Sequence, residues 1–121
     1  MKIAIPTDDG EHISDAFGHA HYFLITDETE KEIELRHNPK AHEGHHHRHS
    51  HNTKEKQARI NAISESLKDV EVIITSHIGK PMMEKMLADG KVIYISPKGL
   101  KISQVLNLYL NGSLKRISTL T

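Results

Sequence analysis

Histidine is the residue of this 121-residue chain best suited to chemistry: eleven are present, and there is no cysteine. Seven of the eleven fall within the fifteen residues His37–His51 (HNPKAHEGHHHRHSH). Imidazole both ligates transition metals and titrates near neutral pH. His47, His49 and His51 alternate, so they would share one side of an extended chain, and His42, His45 and His46 can fold back over Gly44. Three or four imidazoles from this set can surround zinc, nickel, cobalt or copper with no unique geometry, which predicts exchangeable ions of moderate affinity. Composition alone leaves open a solvated insertion that takes up metal only when offered it. The block is internal, flanked by strand-like and helix-like sequence, and so does not read as a terminal tag.

A second histidine set is spaced differently. His77 follows a β-branched run (VIIT) and precedes Gly79 and Lys80, which puts it between a strand's carboxyl end and a helix start. In open αβ sheets ligands bind beyond that edge, and a helix N-terminus favours anions. His19 and His21 lie in the segment entering the next apolar run on the N-terminal side, which the sheet could bring to the same end. His19, His21, His77, Gly79 and Lys80 are therefore the candidate site for an anionic ligand, against the plain alternative of ordinary loop residues with Gly79 serving a turn.

The elements that must position these residues follow from the apolar pattern. Lys2–Pro6 is a short apolar run that reads as a strand, ended by Pro6-Thr-Asp-Asp-Gly10, which has turn composition. Tyr22–Thr26 is a buried strand, and Asp27–Lys31 a polar hairpin loop. Ile33 and Leu35 alternate with charges, as in a half-exposed edge strand. After the histidine block, Ala58, Ile60, Ile63 and Leu67 recur at helical spacing behind a candidate cap, Thr53. Val70–Thr75 reads as a parallel-type strand. Pro81 falls in a first helical turn, with Met82, Met83, Met86 and Leu87 as core and Gly90 as the C-terminal stop. Val92–Ile95 is a further strand. A final helix should turn Ile102, Val105, Leu106, Tyr109 and Leu110 to one side before Gly112. The order β-β-β-α-β-α-β-α implies an α/β fold: a five-stranded mixed sheet, an antiparallel hairpin plus parallel βαβ units, flanked by helices. The chain reads as one domain over residues 1–121, with a His-rich insertion at about 37–52.

Residues MKIAIPTDDG…ISDAFGHAHYFLIT with Asn38-Pro39, and later DVEVIITSHIGKPMMEKMLADGKVIYI, resemble the dinitrogenase iron-molybdenum cofactor biosynthesis family. The resemblance covers nearly everything except the histidine block. It implies a ribonuclease-H-like sheet, no catalysis, and binding or carriage of an iron–molybdenum or iron–sulfur type cluster toward a cofactor-assembly or client metalloprotein. One position departs from the pattern: Ala16 stands before Phe17-Gly18, where the family commonly has histidine, so a ligand role there does not carry over.

Charge and composition bound the alternatives. Sixteen basic and sixteen acidic residues cancel, which disfavours a nucleic-acid partner held by bulk electrostatics. No apolar run approaches the roughly 20 residues of a membrane span, and no signal-peptide pattern precedes the first strand, so a cytoplasmic location is expected. Asp8, Asp9, Asp15 and Asp27 raise a metal-dependent nuclease or hydrolase. That chemistry needs acids converging from central strands, and the first and fourth strands carry none. The expected function is thus a non-enzymatic metal or metallocluster carrier, with a divalent-metal buffer acting through the histidine block as the alternative.

Overall fold

The computed structural model describes residues 1–39 and 53–117. The sheet runs β3-β2-β1-β4-β5-β6, with β1 at Ile3–Thr7, β2 at Tyr22–Thr26, β3 at Glu34–His37, β4 at Val72–Thr75, β5 at Val92–Ile95 and β6 at Lys115–Ile117. β1, β4 and β5 are parallel; β2 pairs antiparallel with both β1 and β3, and β6 pairs antiparallel with β5. The mixed α/β sheet expected from the sequence is present with one strand more. β6 is only three residues long, Lys115, Arg116 and Ile117, too short and too charged to show the alternation that marks a strand.

The helices α1 (Thr53–Ser66), α2 (Lys80–Ala88) and α3 (Ile102–Leu110) divide between the faces. Alternation along each strand sets the division. Ala4, Phe23, Ile25, Ile73 and Ile93 pack with Ile60 and Ile63 of α1 and Met82 and Met86 of α2. Ile3, Ile5, Leu24, Val72 and Ile74 pack on the other face with Ile102, Val105 and Leu106 of α3. The methionines are core, as their spacing implied. Two helical assignments need correction. Ala58 is exposed because it lies off the Ile60–Ile63–Leu67 stripe, and Leu110 is 48% exposed because the last turn of α3 rotates it beyond the sheet.

Pro6 does not end β1, as its turn composition suggested, but sits inside it. Lys2 O accepts the amide of Val72, so even-numbered residues of β1 face β4, and the missing N–H of Pro6 faces that way too. The register agrees. β1 pairs β2 along five residues but β4 along only two, Ile3 with Val72 and Ala4 with Ile73. Beyond that point β1 and β4 are joined through other chain: Ser14 N donates to Pro6 O at 2.8 Å, and Phe17 N donates to His77 O at 3.1 Å. No helix among the described residues is long and apolar enough to cross a membrane.

Candidate functional site

Strand order reverses direction between β1 and β4, and the carboxyl ends of both strands reach the same edge of the sheet. This is the switch point where open αβ sheets take ligands. Residues 16–20 follow β1 and are anchored there on two sides. Phe17 is fully buried, its ring 4.9 Å from Phe23, and its amide binds the His77 carbonyl. Asn38, just beyond β3 and 5% exposed, donates its carboxamide to Ala20 O at 2.9 Å and Gly18 O at 3.2 Å. A buried amide at the end of the edge strand thus clamps the segment that carries His19.

A cleft of about 260 Å³ opens at this point. Ala16, Phe17, Gly18 and His19 line it from one side, His77, Gly79, Pro81 and Met82 from the second, and Lys56, Arg59 and Ile60 of α1 from the third. Among the described residues, two imidazoles and two cationic side chains border the cleft, and no carboxylate does. Partial burial of the His19 ring, helped by the positive charge of Arg59, lowers its pKa from the ordinary value, so at neutral pH the imidazole is uncharged with a lone pair to offer. Gly79 caps α2 with φ −66°, a conformation open to any residue, and a Cβ there would meet nothing within 4 Å. No turn demands glycine here; its lack of a side chain leaves the backbone bare at the mouth of a helix. Pro81 removes one of the first-turn donors of α2, leaving the amides of Lys80 and Met82 without intrahelical partners.

Of the residues singled out in the sequence, His19, His77 and Gly79 line this one cleft. His21 does not: its ring Nδ1 and its amide both lie 2.9 Å from Asp8 Oδ1. Partial burial pushes the Asp8 carboxyl up, but these bonds from His21 outweigh it and hold the carboxyl below its usual value. Lys80 is exposed and is not part of the cleft lining. His42, His45, His46, His47, His49 and His51 lie outside the described residues. Lys56, Arg59 and Asn38 were not recognised as site residues from the sequence. The signal for the first two was present: Lys56 and Arg59 flank buried Ile60 at helical i, i+3 and i+4 spacing, which fixes two cations beside one apolar anchor.

On the α3 face the same edge is shut. Thr7 Oγ1 donates to His12 O at 2.6 Å and accepts from Gly10 N, whose φ of 81° suits glycine. Asp9 Oδ1 accepts the amides of Glu11 and His12, each at 2.8 Å. These amides and the His12 ring hold the Asp9 carboxyl well below the usual carboxylate range. Ile13 N then donates to Leu100 O, and Ile102 N to Glu11 O, stitching this loop to the start of α3. Asp8-Asp9-Gly10 is therefore a turn. Among the described residues no group of three His, Asp or Glu side chains is placed to hold a metal ion.

The fold is thus of the mixed αβ class, with a basic, imidazole-bearing cleft at its switch point and, among the described residues, no assembled carboxylate metal centre. The family described as dinitrogenase iron-molybdenum cofactor matches residues 1–112, and the chain belongs to it. Solved structures share the fold. The orange protein of Desulfovibrio gigas, in its apo form, is 17% identical with a TM-score of 0.75, covering 97% of this chain and 92% of that one. A Thermotoga protein assigned to the DUF35 family is 26% identical with a TM-score of 0.67, covering 99% and 96%. A Methanocaldococcus jannaschii protein assigned as a dinitrogenase is 24% identical with a TM-score of 0.64, covering 99% and 97%. No curated protein matches the chain.

Proposed function

We propose that the protein is a non-enzymatic carrier of an anionic metallocluster of the iron–molybdenum or iron–sulfur type, held in the cleft between residues 16–19, His77–Gly79 and α1. The observation that carries this reading is the composition of the cleft: His19, His77, Lys56 and Arg59 together, with no acid among the described residues. A bare cation would meet two uncompensated positive charges there, whereas an anionic cluster would be neutralised by them and ligated by the imidazoles. Family membership supports the same cargo class. With no cysteine available, ligation by nitrogen and backbone amides is weaker than thiolate ligation, which suits a carrier that must release to an assembly or client metalloprotein. This reading takes the protein to act in the cytoplasm, without nucleic acid or membrane.

The test is anaerobic reconstitution with ferrous iron, molybdate and sulfide, read by absorbance and metal analysis. The wild-type chain should retain a cluster through gel filtration. His77→Ala and Arg59→Gln should each weaken retention about tenfold or more, the scale of one charge-assisted contact. Equal retention by wild type and both variants would sink the proposal. A second reading, a divalent-metal buffer, is favoured by the seven histidines between 37 and 51. His37, the last residue of β3, pairs with Tyr22 at the same sheet edge as the cleft. Deleting residues 42–51 should abolish zinc and nickel uptake under that reading and spare cluster retention under the first. Nuclease activity with magnesium or manganese is expected to be absent.

A further inference from the structure

We propose that β3 is a self-association edge, through which two copies of this chain pair antiparallel about Leu35. β3 ends the sheet, and among the described residues no strand lies on its outer side. Two of the large apolar side chains left exposed fall here, Ile33 at 63% and Leu35 at 47%. Leu35 is cross-strand from Leu24, so Ile33, Leu35 and His37 share the α3 face, while Glu34 and Arg36 share the other.

That sequence is complementary to itself when reversed. In a register centred on Leu35, Leu35 meets Leu35 of the second copy, Ile33 meets His37, and Glu34 meets Arg36. One face sets a Leu35–Leu35 contact between two Ile33–His37 pairs, and the other carries two opposite-charge pairs. The charges are already in place: Arg36 holds Glu34 in a two-point contact at 2.8 and 2.9 Å, and Asp69 at 2.9 Å. Its two remaining donors go to Ser66 O at 2.7 Å and a second Asp69 oxygen at 3.1 Å, so Glu34 of the second copy would share the guanidinium with these partners through its charge rather than take an unused donor. Asn38 turns the chain away beneath residues 18–20, so the strand ends where the pairing would end.

The opposite edge makes the contrast. β6 carries Lys115 and Arg116, and a reversed copy centred on Arg116 would set like charge on like. Charged edges of that kind resist pairing, and β3 lacks the protection. A pair of four-residue strands is a small contact, so the dimer should be concentration-dependent, with the two clefts facing opposite edges of a continuous sheet.

Sedimentation velocity of the full chain across a dilution series should show a monomer–dimer equilibrium. Leu35→Lys should abolish the dimer while leaving the thermal melt unchanged. Glu34→Arg should raise the dissociation constant about tenfold, since two attractive pairs become repulsive. Mixing Glu34→Arg chains with Arg36→Glu chains should give a heterodimer tighter than the dimer of either variant alone. A wild-type chain that stays monomeric throughout overturns the proposal, as does a dimer indifferent to Leu35→Lys. Open-ended polymers would overturn it too, by showing a head-to-tail contact between β3 and β6.

Discussion

At the edge of the sheet where β1, β4 and β5 end, the face under α3 is closed by backbone bonds, whereas the face under α1 and α2 opens into a cleft. Both faces have full apolar cores beneath them. The difference lies in what the chain does after β1. Residues 9–13 turn through Asp9 and Gly10 and bond to Leu100 and Ile102, so their polar backbone is consumed. Residues 16–19 are anchored from beneath by Phe17 and Asn38, which leaves His19 and its neighbours facing outward. Closure here is a matter of hydrogen-bond accounting rather than of hydrophobicity.

The strongest way to break this contrast is to remove the anchor of the open face. Phe17→Ala deletes a fully buried ring and should cost about 3–5 kcal/mol in urea denaturation. A loss below about 1 kcal/mol would show that residues 16–19 are not held as described. Next comes the far end of α1. Lys91 is 6% exposed, and its Nζ donates to Leu67 O at 2.7 Å and Val70 O at 2.6 Å. Lys91→Met removes both bonds, leaving Leu67 O with only the Val70 amide and Val70 O without its lysine donor, and should cost about 1–3 kcal/mol, with cluster retention in the distant cleft unchanged in the folded fraction.

Acid should act on the closed face. The Asp9 carboxyl is held low in the folded chain, so its contribution is present above the ordinary carboxylate pKa and is lost as pH falls through the folded value. Wild-type stability should therefore drop more than that of Asp9→Asn between about pH 7 and about pH 3, measured by chemical denaturation. The smallest effect sharpens the open face. Burial first, then Arg59, favours neutral His19, so protonating it opposes folding, and stability falls as pH drops below the ordinary imidazole value. Imidazole NMR should find His19 titrating lower than an unperturbed histidine, and Arg59→Gln should move it part of the way back. A titration unchanged by that substitution would separate Arg59 from the site.

Much of this was legible in the residues. Tyr22–Thr26 and Val92–Ile95 match their strands residue for residue, because continuous apolar runs bounded by turns admit little else. The cleft was legible in part: the strand-end rule pointed to His77 and Gly79, and proximity in sequence pointed to His19. It failed for His21, one strand pleat away, because nothing in the sequence says that Asp8 will hold it. Lys56 and Arg59 were hidden for a different reason. On an exposed helix, cations look the same whether they face solvent or a neighbouring loop. The turn composition of Pro6-Thr-Asp-Asp-Gly10 points to a stop at Pro6; proline is tolerated inside β1 because the β4 ladder has already ended there.

Any other residue at position 6 would offer an amide hydrogen toward β4 where the two central strands have already parted, one stitch more than this chain has to give. Proline withholds that stitch permanently. The gap that Ser14 and Phe17 bridge therefore lacks one donor by covalent structure, a shortfall that no relaxation of the surrounding side chains can make good.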